Sequence, residues 1–184
     1  MEANPKTNRG PSAGAENRKA LVDAAREVFS QDGLLAPLSS VARRAGVGQG
    51  SLYRHFPDRL SLGVAVFDDN IIELEAMAAR PGSTLDDLFD AIADQAMGSA
   101  ALIDLIASHR DDPRAKHLET RVTAVVTTML ATDHAAERVA DSVTTDDVML
   151  SVAMVAYALS RTDADSRPAV AQRAKAIFHS AFSR

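Results

Sequence analysis

The chain has 184 residues, a formal net charge of −5 and no cysteine. Without a thiol, disulfide frameworks, thiolate metal sites and cysteine nucleophiles are excluded. The length suits a small head fused to a larger body that buries a real core. No apolar run is long enough to span a bilayer, and the polar start from Met1 to Asn17 lacks a secretory pattern. The expectation is a cytoplasmic chain with no membrane partner.

The charge is unevenly spread, and that asymmetry is informative. Residues 1–66 hold nine Lys/Arg and six Asp/Glu, a net +3, and the remainder holds eleven and nineteen, a net −8. The first third suits a polyanion that the rest would repel.

Residues 1–16 read as a disordered tail in which Lys6 and Arg9 offer a minor-groove arm. From Glu16 a helix carries Leu21, Ala24, Ala25, Val28 and Phe29 on one face and stops at Gly33. A second helix opens at Pro37, buries Leu38, Val41, Ala42 and Ala45, and ends at Gly46. Val47-Gly48 forms a turn, a short third helix covers Gln49–His55, and Pro57 closes it. A long helix follows over Arg59–Ala79, with Leu60, Val64, Phe67, Ile71, Leu74 and Ala78 stepping by fours and threes. Thr84 or Ser83 caps the next helix, which Gly98 interrupts. A segment Leu102–His109 is then stopped by Asp111-Asp112-Pro113, and a further helix aligns Leu118, Val122, Val125, Val126 and Met129. Residues 132–142 read either way. Two last helices, Thr145–Ser160 and Pro168–Phe182, are joined by a short loop and should lie antiparallel.

Two short helices around a glycine-containing turn form a helix-turn-helix. At about 100° per residue, Leu52 and Phe56 share one face of the third helix, while Gly50, Ser51 and Arg54 point away and Tyr53 and His55 flank them. An arginine fork reaches guanine O6 and N7 in a major groove. Ser51 offers a small donor or acceptor, and Gly50 lets backbone approach closely. Tyr53 and His55 fall where the phosphate walls would stand, and Arg59 with the amides opening the long helix suits another phosphate. Arg43 and Arg44 add positive charge nearby.

The stretch Lys19 to Leu62 resembles the DNA-binding head of the TetR/AcrR-type family of bacterial regulators. The matching residues are Ala25, Phe29, Gly33, Val41-Ala42, Ala45-Gly46-Val47, Gly50-Ser51-Leu52-Tyr53, His55-Phe56, Arg59 and Leu62. The resemblance implies an all-α fold: a three-helix helix-turn-helix head over 17–62, and a helical-bundle body over 63–184 whose last two helices form a dimer interface. It also implies that Gln49, Gly50, Ser51, Tyr53, Arg54, His55 and Arg59 occupy DNA-contacting positions. Where many members carry a capping Thr, this chain has Ala36 followed by Pro37, so Ser39 becomes the candidate phosphate contact.

The implied function is a sequence-specific repressor on double-stranded, pseudo-palindromic DNA, released by a small apolar effector, working as a homodimer without a cofactor, a metal or catalysis. Candidate pocket residues are Phe67, Ile71, Phe89, Ile92, Met97, Val126, Met129 and Tyr157, and candidate dimer residues are Val148, Val152, Val155, Val170, Ile177, Phe178 and Phe182. Two alternatives stand beside it: a DNA-binding factor with no effector, or a helical small-molecule carrier or enzyme. The carrier or enzyme needs convergent titratable groups, and Ser51 and His55, one turn apart, lack an acidic orienter. Gly46-Val47-Gly48-Gln49-Gly50 resembles a dinucleotide loop, but a helix precedes it where that fingerprint needs a strand.

Overall fold

The computed structural model describes residues 11–184, so Lys6 and Arg9 and the proposed arm lie outside the described residues. Among those residues there are eight helices: α1 Pro11–Asp32, α2 Leu38–Arg44, α3 Gln49–His55, α4 Arg59–Ala78, α5 Leu85–Ser108, α6 Pro113–Ala135, α7 Thr145–Arg161 and α8 Arg167–Phe182. The single extended pairing is an isolated bridge between Val139 and Ser183. The fold is all-α, as expected.

Local chemistry sets most boundaries. Asp58, Thr84 and Thr144 each cap a helix and are answered from the third helical position by Ser61, Asp87 and Asp147, three reciprocal capping boxes. Asp112 caps α6, with Pro113 at its first position. The α2–α3 turn depends on Gly46, whose φ of +66° is left-handed. There Val47 N–H reaches Ala42 O at 2.9 Å and Gly46 N–H reaches Arg43 O at 3.2 Å, a Schellman closure.

Three boundaries differ from the sequence reading. Helix α1 starts at Pro11, so residues 11–16, read as tail, are helical. Helix α5 runs unbroken through Gly98. One interior glycine costs only about 1 kcal/mol, and Ala96, Ser99, Ala100 and Leu102 around it are buried. Helix α6 extends to Ala135, after which Arg138 N–H bonds to Asp133 O and Glu137 takes a positive φ of 56°. Asp133, 2% exposed, explains that turn. Its carboxylate accepts from Leu85 N–H at 2.8 Å and from the Arg138 guanidinium at 2.6 Å, pinning the start of α5 to the end of α6.

Packing joins head to body. One apolar cluster holds Leu21, Val22, Val28, Phe29, Val41, Leu52 and Phe56 of the head together with Leu62, Val66, Leu102, Leu105 and Leu118. At the α4–α5 crossing a Cβ on Gly63 would meet Leu105 Cδ2 at 3.0 Å, so a larger residue there needs the Leu105 side chain to give by a few tenths of an ångström. A second cluster, with Leu85, Leu88, Phe89, Val126, Met129, Val148 and Phe178, fills the far end of the body. The chain crosses from α3 to α4 through Phe56, Pro57 and Asp58. In the structure α1 also packs directly on α4 and α5.

Candidate nucleic-acid interface

Helix α3 is amphipathic over two turns. Leu52 and Phe56 are 1% and 2% exposed. At about 1.5–3 kcal/mol for each large apolar side chain taken out of water, these two fix the rotation of the helix. Gln49, Gly50, Tyr53 and Arg54 are exposed, and Ser51 and His55 are half-buried. The six expected contacts on α3 are therefore on or beside one outward surface. Arg54 takes part in no side-chain hydrogen bond or ion pair among the described residues, so its five N–H donors remain available. Ser39 is exposed in the first turn of α2, which has Pro37 at its cap and no side-chain acceptor there.

Two basic residues near this surface are committed elsewhere. Arg59, expected to hold a phosphate, donates one N–H to Leu34 O and lies 5.3 Å from the centroid of the Phe29 ring. It ties α4 to the turn after α1, and the physical reason is proximity: a half-buried guanidinium takes the nearest backbone acceptor and aromatic face. Arg44 pairs with Glu27 at 2.6 Å. Arg43 is exposed and stays outside these ion pairs.

The junction behind α3 is ionic. Arg114 of α6 donates to both oxygens of Asp58, at 3.2 and 3.1 Å, and to Asp112 at 2.9 Å. One helical repeat further along α6, Arg121 bonds Asp68 at 2.9 Å and Glu75 at 2.8 Å. The Arg114 hydrogen bonds hold the Asp112 carboxyl down at about 2. At Asp58 partial burial pushes upward, but the Ser61 amide and Arg114 outweigh it and leave the group below its ordinary value. Both carboxyls are lowered by folding, so their stabilisation is complete above about pH 4 and is lost as pH falls toward 2. Arg114→Gln should therefore lower the melting temperature at pH 6. The difference from wild type should shrink steadily between pH 4 and pH 2, measured by circular dichroism. A gap that is constant across that range would show that Arg114 does not stabilise the protein through these carboxylates.

Between α4, α5, α6 and α7 lies a cavity of about 780 Å³, within the range that takes small ligands. Phe67, Ile71, Ile92 and Tyr157 line it as expected. Phe89, Val126 and Met129 do not. They belong to the far-end cluster, where Phe89 stacks on Phe178 with ring centroids 3.6 Å apart. Met97 packs instead against the small cluster of Ala96, Leu159 and Ala171. Sequence reasoning missed Asn70, Gln95, Ile103 and Val122 in the wall. Asn70 had a usable signal, a polar residue inside the apolar stripe of α4.

On the last two helices, Val148 and Phe178 are buried within the protomer at 1% and 3%. They are therefore excluded from an outer interface. Val152, Val155, Val170 and Phe182 are half-buried, and of the expected set only Ile177 is exposed. The outward apolar side chains of α7 are Leu150, Met154 and Tyr157. Helix α7 is apolar on two faces, and the sequence alone does not say which one is inward.

A helix-turn-helix head carried on an all-helical body with a mostly apolar cavity open to solvent defines the class of this protein. Residues 21–66 match the model of the tetR family of bacterial regulatory proteins. The transcriptional regulator AcrR of Shigella flexneri is 37% identical over 76 residues, which is 38% of this chain and 35% of that protein. SrpR of Pseudomonas putida is 44% identical over 52 residues, 28% of this chain and 24% of that one. The chain thus spans about a third or less of the length of these curated relatives. Whole-chain likeness comes from solved structures. A TetR transcription regulatory protein from Mycobacterium vanbaalenii has a TM-score of 0.65 at 26% identity, covering 94% of this chain and 98% of that one. A TetR transcriptional regulator from Streptomyces coelicolor has a TM-score of 0.67 at 24% identity, covering 90% and 98%. The head thus matches the tetR family of bacterial regulatory proteins, and the chain as a whole has the fold of solved TetR regulators. Among the described residues no helix is long and apolar enough to cross a membrane.

Proposed function

We propose that this chain is a homodimeric transcription regulator that reads a pseudo-palindromic operator with α3 and is a repressor released by a small, mostly apolar molecule. One observation carries the reading: α3 is anchored by buried Leu52 and Phe56 while Arg54, Tyr53, Gln49 and Gly50 stand free in solvent. In this reading Arg54 reads a base edge, and Ser39, Ser51, Tyr53 and His55 meet sugar and phosphate. The cavity beside α4 supports an effector, because only three residues separate α4 from α3. Selection from random duplexes with purified protein tests the reading. It should recover an inverted repeat with half-sites roughly 34–36 Å apart, bound with an affinity that falls steeply as salt rises. Recovery of no sequence preference rejects it.

Dimerisation in this reading uses the outer face of α7 and α8, where Leu150, Met154, Tyr157 and Ile177 are each more than half exposed. A second copy would cover this apolar surface. The double variant Met154→Glu, Ile177→Glu, at positions outside the cavity wall, should sediment as a monomer with its helical content intact and should lose operator affinity. An unchanged dimer places the interface elsewhere.

A further inference from the structure

We propose that Asn70 is the positioning residue that passes cavity occupancy to the head, and that the molecule it answers to is apolar with a single hydroxyl or carbonyl group. The proposal rests on the ligand-controlled reading above and extends it to a named contact.

Asn70 is 5% exposed and lines the cavity. Its Oδ1 accepts from Arg26 Nη2 at 2.8 Å, and Arg26 belongs to α1 of the head. Its Nδ2 donates to Ser99 Oγ of α5 at 3.3 Å, and its backbone oxygen accepts from Gln95 Nε2 at 3.1 Å. One amide thus joins α1, α4 and α5 while forming part of the cavity wall. Among the described residues it is the cavity side chain that hydrogen-bonds the head. Arg26 takes part in none of the ion pairs among those residues, so this cation is held by a neutral carbonyl. The neutral Asn70–Ser99 hydrogen bond is modest, so a ligand oxygen presented to Nδ2 competes with it on similar terms and, by turning the amide, weakens the stronger charge-assisted contact to Arg26.

The wall chemistry sets the class of ligand. Phe67, Ile71, Ile92 and Val122 leave most of a bound molecule in apolar contact. A charge held among these four, beside Asn70, would be desolvated, while the ionic wall residues Asp104, Arg110 and Glu119 are each partly or fully exposed to solvent. A hydroxyl accepting from Asn70 Nδ2, or donating to Oδ1, turns the amide away from Ser99 or Arg26. The head then loses one of its ties to the body. Occupancy alters DNA binding only to the extent that the ligand prefers the untied state.

The test uses the full chain, the duplex recovered by selection, and decan-1-ol as probe. Cavity binding is read as a rise in melting temperature and DNA binding by fluorescence anisotropy. In wild type decan-1-ol should raise the melting temperature and weaken operator binding tenfold or more. Arg26→Leu removes the tie without touching the cavity. It should keep the temperature rise yet change operator affinity less than twofold with the probe. Arg26→Lys, which keeps a donor, should restore the response. Asn70→Leu should behave like Arg26→Leu in its DNA response. A full tenfold loss persisting in Arg26→Leu overturns the role of Asn70 and leaves ligand control standing. Loss of the temperature rise in Arg26→Leu also overturns it, since Arg26 would then act on binding and not on transmission. Decan-1-ol giving no temperature rise in wild type, or a rise without weakened operator binding, overturns ligand control and this inference with it.

Discussion

Arg54→Ala should erase the preference of the protein for one base pair in each half-site while leaving non-specific DNA binding nearly intact. Arg54 is exposed on the outer face of α3 with its guanidinium unpaired among the described residues. A bidentate arginine–guanine contact discriminates by about 1–3 kcal/mol, so the ratio of operator to scrambled-duplex affinity should fall roughly 5- to 150-fold. Arg43→Ala, at an exposed arginine one helix away, should weaken every duplex alike and reduce the salt slope by about one. Competition anisotropy over a range of salt separates these two behaviours. If Arg54→Ala keeps the full operator preference, base readout belongs to another residue on α3, with Gln49 the next candidate.

Leu52→Ala should destabilise the whole protein, not the head alone. Leu52 is 1% exposed in a cluster that continues into Leu102, Leu105 and Leu118 of the body. Removing a buried leucine side chain costs about 2–5 kcal/mol, the spread reflecting how far the site can collapse. For a chain of this size that corresponds to a drop in melting temperature of roughly 4–20 °C. Because the cluster crosses the boundary between head and body, the transition should remain single. The neighbouring Tyr53→Ala, at a side chain 52% exposed, should shift stability within about 0.5 kcal/mol while weakening DNA binding. Two separate transitions in Leu52→Ala would show the head to be an independent folding unit.

The contrast between Leu52 and Tyr53 also explains why the head was legible from the sequence. Short helices in a helix-turn-helix are bounded by residues with strong local preferences: Gly33 and Gly46 in left-handed turns, and Pro57 beyond the end of α3. Within seven residues the spacing of Leu52 and Phe56 leaves only one rotation that buries both. The outward set then follows from geometry, and the bounds Gln49–His55 agree with the structure. Arg59 is the exception. Its position was readable, but its engagement with Leu34 O and the Phe29 ring depends on a turn 25 residues away.

In the body the sequence determined less. Its alternation of apolar and polar residues dictated helices, and the Asp58, Thr84, Asp112 and Thr144 caps dictated where four of them begin. It did not dictate which of two apolar faces of α7 is inward, nor that Phe89 would meet Phe178 at the far end and not line the cavity. Those outcomes belong to tertiary packing, because an apolar side chain gains nearly the same free energy against any apolar neighbour and carries no address of its own. Polar partners reached across the fold, such as Asn70 to Arg26 over 44 residues and Asp133 to Leu85 over 48, are fixed only once the helices have docked. Local periodicity and turn chemistry thus specified the helices and the exposed arginine, and non-directional packing between helices decided the cavity and the outer face.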